Sequence, residues 1–224
     1  MKILIVYDNF SGDNSLIPDW GFSCSIETGK RKILFDTGGN GKILLENMRN
    51  LNIDPGDFDD IFISHPDFDH IGGLSDILNL NQQAVIHNPV SFRGIRYSNK
   101  VIYYDKPTQI YQNIFTTGEL GQREQSLAIK IDQGLVIIIG CGHPGIGNII
   151  DSLEEFARIA DSFTGLGKIY SIVGGLHGFS EFDVLEKIDK VCPTHCTKNI
   201  EKIRQLYPEK FIKGGVGTVI EFDD

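Results

Sequence analysis

The sequence predicts an α/β protein in which two β-sheets are covered by helices. The first half of the chain is rich in short apolar runs that are typical of strands, and the second half alternates such runs with segments of helical period. The 224 residues contain no fixed-period repeat, low-complexity tract or obvious linker. We therefore expect a single domain over residues 1–224, which is long enough to bury one sizeable core.

The β-rich part begins with a strand at 2–7, and a Gly29-Lys30 turn then joins strands at 22–28 and 32–35 as a hairpin. Residues 41–50 then place apolar side chains at helical spacing, and Asp54-Pro55-Gly56-Asp57 breaks the chain before a strand at Ile61. The other predicted strands of this part are 84–87, 101–104, 112–116, 126–131 and 135–139.

The second part of the chain is predicted to alternate helices with strands. Residues 148–160 place Ile149, Leu153 and Phe156 on one apolar face of a helix, and another helix begins near Ile200. The remaining predicted elements are a helix at 182–188 and strands at 168–173, 191–193, 211–213 and 217–222.

Composition and charge exclude several classes of function. A formal net charge of -9 argues against a broad basic face for nucleic acid. No apolar run approaches the roughly 18 residues of a membrane span, so we expect no membrane partner and a cytoplasmic location. Four cysteines without a CxxC pair predict reduced thiols. A structural zinc site built from Cys192, Cys196, Cys141 and His143 is the weaker alternative.

The most specific chemistry follows the apolar run 61–63. Four metal-capable side chains occur within six residues, namely His65, Asp67, Asp69 and His70. Burying these groups without partners costs several kcal/mol each, a cost that one or two divalent cations offset. The following Gly72-Gly73 predicts a turn with close backbone approach.

Three further histidines lie just beyond predicted strands, where open sheets build their sites. These are His143, His177 and His195. Together with the first cluster they indicate a binuclear zinc, iron or manganese site. His87 also ends a short strand, but it has no glycine or metal-capable neighbours in the sequence and is predicted to be a structural or surface residue.

These motifs resemble those of the metallo-β-lactamase superfamily. The motifs are Leu34-Phe35-Asp36-Thr37-Gly38, His65-Pro66-Asp67-Phe68-Asp69-His70, Gly140-Cys141-Gly142-His143-Pro144-Gly145-Ile146, Gly174-Gly175-Leu176-His177 and Pro193-Thr194-His195-Cys196-Thr197. The last three are similar to a branch of metal-dependent hydrolases related to a ribofuranosylaminobenzene phosphate synthase of methanopterin biosynthesis. The resemblance implies an αββα sandwich of two mixed β-sheets flanked by helices.

The resemblance also implies the roles of individual residues. The ligands of the first metal are His65, Asp67 and His143, and those of the second are Asp69, His70 and His195. Asp36 is implied to orient the histidines of the first motif without itself binding a metal. The implied reaction is the attack of a metal-bound hydroxide on an ester or phosphoester, in which Asp69 holds the hydroxide and His177 assists the oxyanion or the leaving group.

Two departures from the family pattern leave alternatives open. Asp67 stands where most members have histidine, so manganese or iron are alternatives to two zinc ions. Cys141 aligns equally well with the position of a bridging aspartate, in which case His177 becomes a second candidate ligand. The competing classes are a diiron redox protein and a non-catalytic member that binds a ligand or partner.

The substrate is expected to be a small molecule. Residues 91–106 form a basic and aromatic stretch in an otherwise acidic chain, which favours a phosphorylated or aromatic substrate. The alternative is a solvated hairpin that uses its aromatic side chains for packing.

Overall fold

The computed structural model describes residues 1–29, 31–96, 100–159 and 168–223. These residues form two compact units. Unit 1 comprises Met1–Tyr103 and Gly214–Phe222, and unit 2 comprises Tyr104–Lys213 and Asp223. Each unit contains one mixed sheet with its own helices. The expectation of a single domain stays a prediction.

The sheet of unit 1 has seven strands in the order β13-β1-β2-β3-β4-β5-β6. Its strands are β1 (Lys2–Tyr7), β2 (Ser23–Thr28), β3 (Arg31–Phe35), β4 (Asp60–Phe62), β5 (Val85–Pro89), β6 (Lys100–Tyr104) and β13 (Val219–Glu221). β13, β1, β2 and β3 pair antiparallel, whereas β3, β4 and β5 pair parallel. The carboxyl ends of β3 and β4 therefore lie side by side.

The described residues of unit 1 form three α-helices and a short 3₁₀-helix (Pro55–Asp57); the α-helices are α1 (Gly41–Asn50), α2 (Phe68–Ile71) and α3 (Leu74–Leu80). The side chain of Asn40 caps α1 by accepting a hydrogen bond from the amide of Lys42 at 3.0 Å. Leu44 and Met48, one helical turn apart, are buried in one apolar cluster with Ile77 of α3. This cluster fixes both helices against the sheet.

The sheet of unit 2 has six strands in the order β12-β11-β10-β9-β8-β7. They are β7 (Thr108–Tyr111), β8 (Ile114–Thr116), β9 (Leu127–Ile131), β10 (Gly134–Ile139), β11 (Ile169–Gly175) and β12 (Lys190–Thr194), with helices α4 (Ile146–Ile159) and α5 (Ile200–Leu206). β10, β11 and β12 are parallel, so their carboxyl ends share one edge of the sheet. Their near-continuous apolar sequences are typical of a buried parallel sheet.

The element predictions are wrong in a few places. Residues 211–213 form no strand, because only Phe211 makes an isolated bridge to Val191 before two glycines follow. The predicted helix at 182–188 is a 3₁₀-helix over Phe182–Lys187. Helices α2 and α3 and strand β7 were not predicted. The predicted positions Lys30 and Ala160, and residues 97–99 of the basic and aromatic stretch, lie outside the described residues.

Within the described part of the chain, we find no helix with both the length and the apolar character that crossing a membrane requires.

Candidate metal centre

Unit 1 contains a carboxylate–histidine cluster at the carboxyl ends of β3 and β4. We define it by Asp36, Ser64, His65, Asp67, Asp69 and His70. All but Asp67 are buried. The structure therefore places the predicted residues of the first motif beside the predicted orienting residue, as the parallel pairing of the two strands requires.

The carboxylate of Asp36 organises this cluster. Its Oδ1 accepts a hydrogen bond from the amide of Ser64 at 2.7 Å. Its Oδ2 accepts from the Ser64 hydroxyl at 2.6 Å and lies 2.7 Å from Nδ1 of His70. The Ser64 hydroxyl lies 2.8 Å from Nδ1 of His65. One buried carboxylate thus reaches both histidines, directly and through the hydroxyl.

These contacts determine which imidazole nitrogen carries a proton. A carboxylate can only accept, so Nδ1 of His70 donates to Asp36. The single hydroxyl proton of Ser64 is directed to Asp36, so Nδ1 of His65 donates to the hydroxyl oxygen. In the neutral form of each ring, Nε2 then carries the lone pair that a metal ion requires. The two rings are 4.1 Å apart between centroids.

The loop after Asp36 holds the histidine motif through the backbone. The amide and hydroxyl of Thr37 donate to the carbonyl of His70 at 2.7 and 3.0 Å. A Cβ atom on Gly72 would lie 2.2 Å from the carbonyl oxygen of Gly39, so only glycine fits there. The predicted close backbone approach is confirmed.

The two aspartates of the motif have different environments. Asp69 lies in the first turn of α2 and is buried. Asp67 precedes α2, and 40% of its side chain is exposed. Its Oδ2 lies 3.5 Å from Nε2 of His65, on the ring edge that is not used by Ser64. Both carboxylates are hard oxygen donors that suit divalent cations.

Unit 2 contains a thiol–histidine cluster at the shared edge of β10, β11 and β12. We define it by Glu124, Cys141, His143, His177, His195 and Cys196. Cys141 and His143 follow β10, His177 follows β11, and His195 with Cys196 follows β12. The prediction that three histidines gather beyond strand ends is confirmed for this unit.

Glu124 was not among the predicted site residues. This fully buried carboxylate precedes β9 and accepts four hydrogen bonds. Its Oε1 accepts from the amides of Cys141 and Gly142 at 2.9 and 3.0 Å. Its Oε2 accepts from the amide and from Nδ1 of His143, both at 2.9 Å. Glu124 therefore leaves Nε2 of His143 as the lone-pair nitrogen, as Asp36 does for His70.

The other two histidines are held by their turns. The ring of His177 lies 5.3 Å from that of His143 between centroids and is exposed. His195 is buried, and Thr197 fixes its turn by accepting from the amide of Leu176 at 2.9 Å and donating to the carbonyl of Thr194 at 2.8 Å.

Three of these positions adopt backbone conformations that non-glycine residues seldom occupy. Asp36, His177 and His195 have φ values of 52°, 41° and 47°, and they are three of the six described non-glycine residues with positive φ. Such strained residues cluster at functional sites. Each one follows a strand directly or within two residues.

The thiols of Cys141 and Cys196 lie 3.3 Å apart, and no described cysteine is in a disulfide. Donor atoms of both cysteines and of His195 lie within 4.8 Å of one another. The hydrogen bond with Cys141, followed by the charge of His195 and a hydrogen bond with His177, lowers the pKa of the Cys196 thiol to about 5. The alternative zinc site is not assembled as predicted, because Cys192 lies within β12.

The prediction for His87 is confirmed. Its Nε2 lies 2.8 Å from Oδ1 of Asp60, and both side chains are buried. Asp60 also accepts a hydrogen bond from Arg31 at 2.8 Å. This buried arrangement pairs the histidine within the sheet of unit 1 and gives it a structural role.

The donor set of each cluster fits a divalent cation. Three histidines have Nδ1 bound to an acceptor, which is the usual arrangement behind a metal-ligating imidazole. Carboxylates of Asp67 and Asp69 add oxygen donors in unit 1. Each of the two clusters therefore contains candidate metal ligands.

The comparisons with known proteins define the class. The sequence profile of the metallo-beta-lactamase superfamily matches residues 22–156, and the chain belongs to this superfamily. Tm1679, described as a metal-dependent hydrolase of the β-lactamase superfamily, has a TM-score of 0.79 and 25% identity over 100% of both chains. The metallo-β-lactamase fold protein YhfI from Bacillus subtilis has a TM-score of 0.65 at 12% identity over 98% of both chains. The predicted fold class is confirmed.

A curated relative points to a narrower group. The 7,8-dihydropterin-6-methyl-4-(β-D-ribofuranosyl)-aminobenzene-5′-phosphate synthase of Methanocaldococcus jannaschii is 27% identical to this chain. The match covers 99% of this chain and 97% of the relative. The predicted branch of the superfamily is thereby supported over the full length.

Proposed function

We propose that this protein is a metal-dependent hydrolase of small esters or phosphoesters that binds two divalent cations. We expect these cations to be zinc, with manganese or iron as the alternatives. Superfamily membership supports metal binding. The observation that carries the proposal is the fixing of three histidines by buried acceptors, Asp36 and Ser64 in unit 1 and Glu124 in unit 2. When bound, such cations lower the pKa of water to about 7 and polarise the substrate oxygen.

The proposed ligands are the six residues of the sequence prediction, His65, Asp67, Asp69, His70, His143 and His195. The assignment of three ligands to each metal rests on the order of the motifs along the chain and on the superfamily. Asp36 and Glu124 hold the imidazoles in the required tautomer. This preorganisation removes the cost of turning each ring when a cation binds.

Two residues are proposed to act on the reacting atoms. Asp69, as a buried carboxylate, accepts a hydrogen bond from the attacking water and orients it. His177 is exposed beside His143 and donates a proton to the leaving group or a hydrogen bond to the developing oxyanion. A serine nucleophile is not required.

The proposed substrate combines an apolar or aromatic part with a phosphate. Unit 1 has a groove of about 270 Å³ along α2 and α3, lined mostly by apolar side chains including Ile71, Leu74 and Phe92, with Arg96 at its rim. Arg96 is exposed, whereas Arg93 stacks 4.0 Å over the ring of Tyr103 and donates to a backbone carbonyl. The name of the M. jannaschii relative likewise describes an aromatic, phosphorylated product.

The test begins with metal analysis of protein purified without added metal, followed by turnover assays. We expect about two equivalents of zinc or manganese, together with hydrolysis of a chromogenic phosphodiester or ester. Replacing His70 or His195 by alanine should remove a ligand and abolish turnover. His87→Gln is the matched control, because it changes a buried, hydrogen-bonded histidine outside both clusters.

Unchanged turnover in His70→Ala and His195→Ala would refute the hydrolase proposal. Redox-active iron would instead favour the diiron class, and the absence of bound metal would favour a non-catalytic member. A synthase is the second candidate, favoured by the full-length match to the M. jannaschii enzyme. Two bound metals without turnover of any ester or phosphoester would support it.

A further inference from the structure

Cys141 and Cys196 are brought together from distant parts of the sequence. Their Sγ atoms lie 3.3 Å apart, although 55 positions separate the residues. Strand β11 lies between β10 and β12, which precede them. Strands two positions apart in a sheet are separated by about 9.5 Å, too far for their cysteines to meet within the sheet. The contact therefore depends on the turns beyond the strands.

A glycine on the middle strand makes this contact possible. A Cβ atom on Gly175 would lie 2.9 Å from Sγ of Cys196 and 3.2 Å from Cα of Cys141. Any larger residue would occupy the space that the Cys196 thiol uses. His195, which directly precedes Cys196, has a left-handed backbone conformation with φ of 47°, so the chain leaves the extended path of β12 just before this thiol.

From this geometry we propose that Cys141 and Cys196 form a redox modification site. A small-molecule disulfide oxidises the two thiols to a reversible intramolecular disulfide. The sulfurs must approach from 3.3 Å to about 2.05 Å, which side-chain rotation and a small shift of the turns can supply. The proposal concerns the two thiols alone and is independent of the hydrolase activity.

The two cysteines have distinct parts in the reaction because their exposure differs. Cys196 is partly exposed and Cys141 is buried. The Cys196 sulfur attacks the external disulfide, forms a mixed disulfide and displaces one small thiolate. The Cys141 sulfur then attacks Cys196 and displaces the second. Two protein thiols are oxidised, one external disulfide is reduced, and the two thiol protons pass to the released thiolates.

The disulfide would join the turns that carry two proposed metal ligands. Cys141 lies two residues before His143, and Cys196 directly follows His195. A covalent link between these turns would restrict both imidazoles and remove both thiols from the reach of a metal ion. Oxidation by a small-molecule disulfide would therefore alter the candidate metal ligands of unit 2.

The test is incubation of the purified full chain with oxidised glutathione, trapping with N-ethylmaleimide, and peptide mass spectrometry. We expect a peptide pair linked through Cys141 and Cys196, with loss of maleimide labelling at both residues and recovery after dithiothreitol. The link should be absent from Cys141→Ser and Cys196→Ser.

Matched controls are Cys24→Ser and Cys192→Ser, which change buried cysteines on strands and should retain the link. Near-ultraviolet circular dichroism shows whether each variant has its native packing. Glutathione attached to Cys196 without a link to Cys141 would overturn the proposal, because the pair would then have failed to close. Continued labelling of both thiols in the oxidant would overturn it as well.

Discussion

Glu124→Gln is the substitution that tests the second cluster most directly. The carboxylate accepts four hydrogen bonds, and a carboxamide retains only one acceptor oxygen. If that oxygen accepts from the backbone amides of Cys141 and Gly142, the side-chain nitrogen of the new glutamine faces two donors of His143, its backbone N–H and its Nδ1–H. One mutation thus places donors against donors without changing the size of the side chain.

The expected loss of stability can be worked out from these contacts. An unsatisfied backbone N–H costs about 1–3 kcal/mol, and replacing two charge-assisted bonds by neutral ones costs about 1 kcal/mol each. We therefore expect the free energy of unfolding to fall by about 3–5 kcal/mol. Nδ1 of His143 can avoid a clash only by giving up its proton, which moves the proton to Nε2.

That tautomer change should weaken metal binding. Loss of such a supporting hydrogen bond typically costs 10–100-fold in metal affinity, or about 1.4–2.7 kcal/mol. Urea unfolding measures the first effect and zinc titration of the metal-free protein measures the second. Glu154→Gln is the control, since it changes an exposed glutamate on α4. An unfolding free energy within about 0.5 kcal/mol of wild type, with unchanged zinc affinity, would refute the reasoning.

Three further predictions concern other residues. Asp36→Asn should lower zinc affinity by roughly 10–100-fold in a titration, because the carboxylate fixes the rings of His65 and His70; equal affinity would contradict that role. Asp67→His should raise the ratio of zinc to manganese in competition experiments followed by metal analysis, and an unchanged ratio would count against Asp67 as a ligand. Cys196 should be alkylated by iodoacetamide in metal-free protein at a rate that is nearly constant above pH 6, because its pKa is lowered to about 5 by the Cys141 hydrogen bond and its thiolate is already formed. A rate that still rises through pH 8 would contradict the lowered pKa.

The sequence was sufficient for the features that depend on local pattern. Apolar runs followed by glycine and histidine marked the ends of β10 and β11, and the spacing of His65 to His70 marked the first cluster. Helix α3 was missed because its seven residues are too few for a clear period. The strand predicted at 211–213 was wrong for the same reason, because three residues are too few to give a reliable pattern.

The supporting contacts could not be read from the sequence. Glu124 lies 17–19 positions from its partners, and its role appears only when β9 and β10 pair. The sequence around Glu124 contains no recognisable motif, so nothing in it indicated that this carboxylate supports the cluster. The contact of Cys141 with Cys196 likewise depends on strand order and on the missing side chain of Gly175. The contacts of Asp36 are also non-local, with 28 positions to Ser64 and 34 to His70, but the family motif anticipated that Asp36 orients the histidines.

Hydrogen bonds run from Asp36 to His70 and, through the Ser64 hydroxyl, to His65, and this relay affects how the site can evolve. His65 and His70 both depend on one carboxylate and one hydroxyl, so a change at Asp36 or Ser64 reaches both rings at once. Asp67 lies outside that relay, before a four-residue helix and with 40% of its side chain exposed. Selection for a different metal can therefore act at Asp67 while the buried part of the cluster is inherited unchanged.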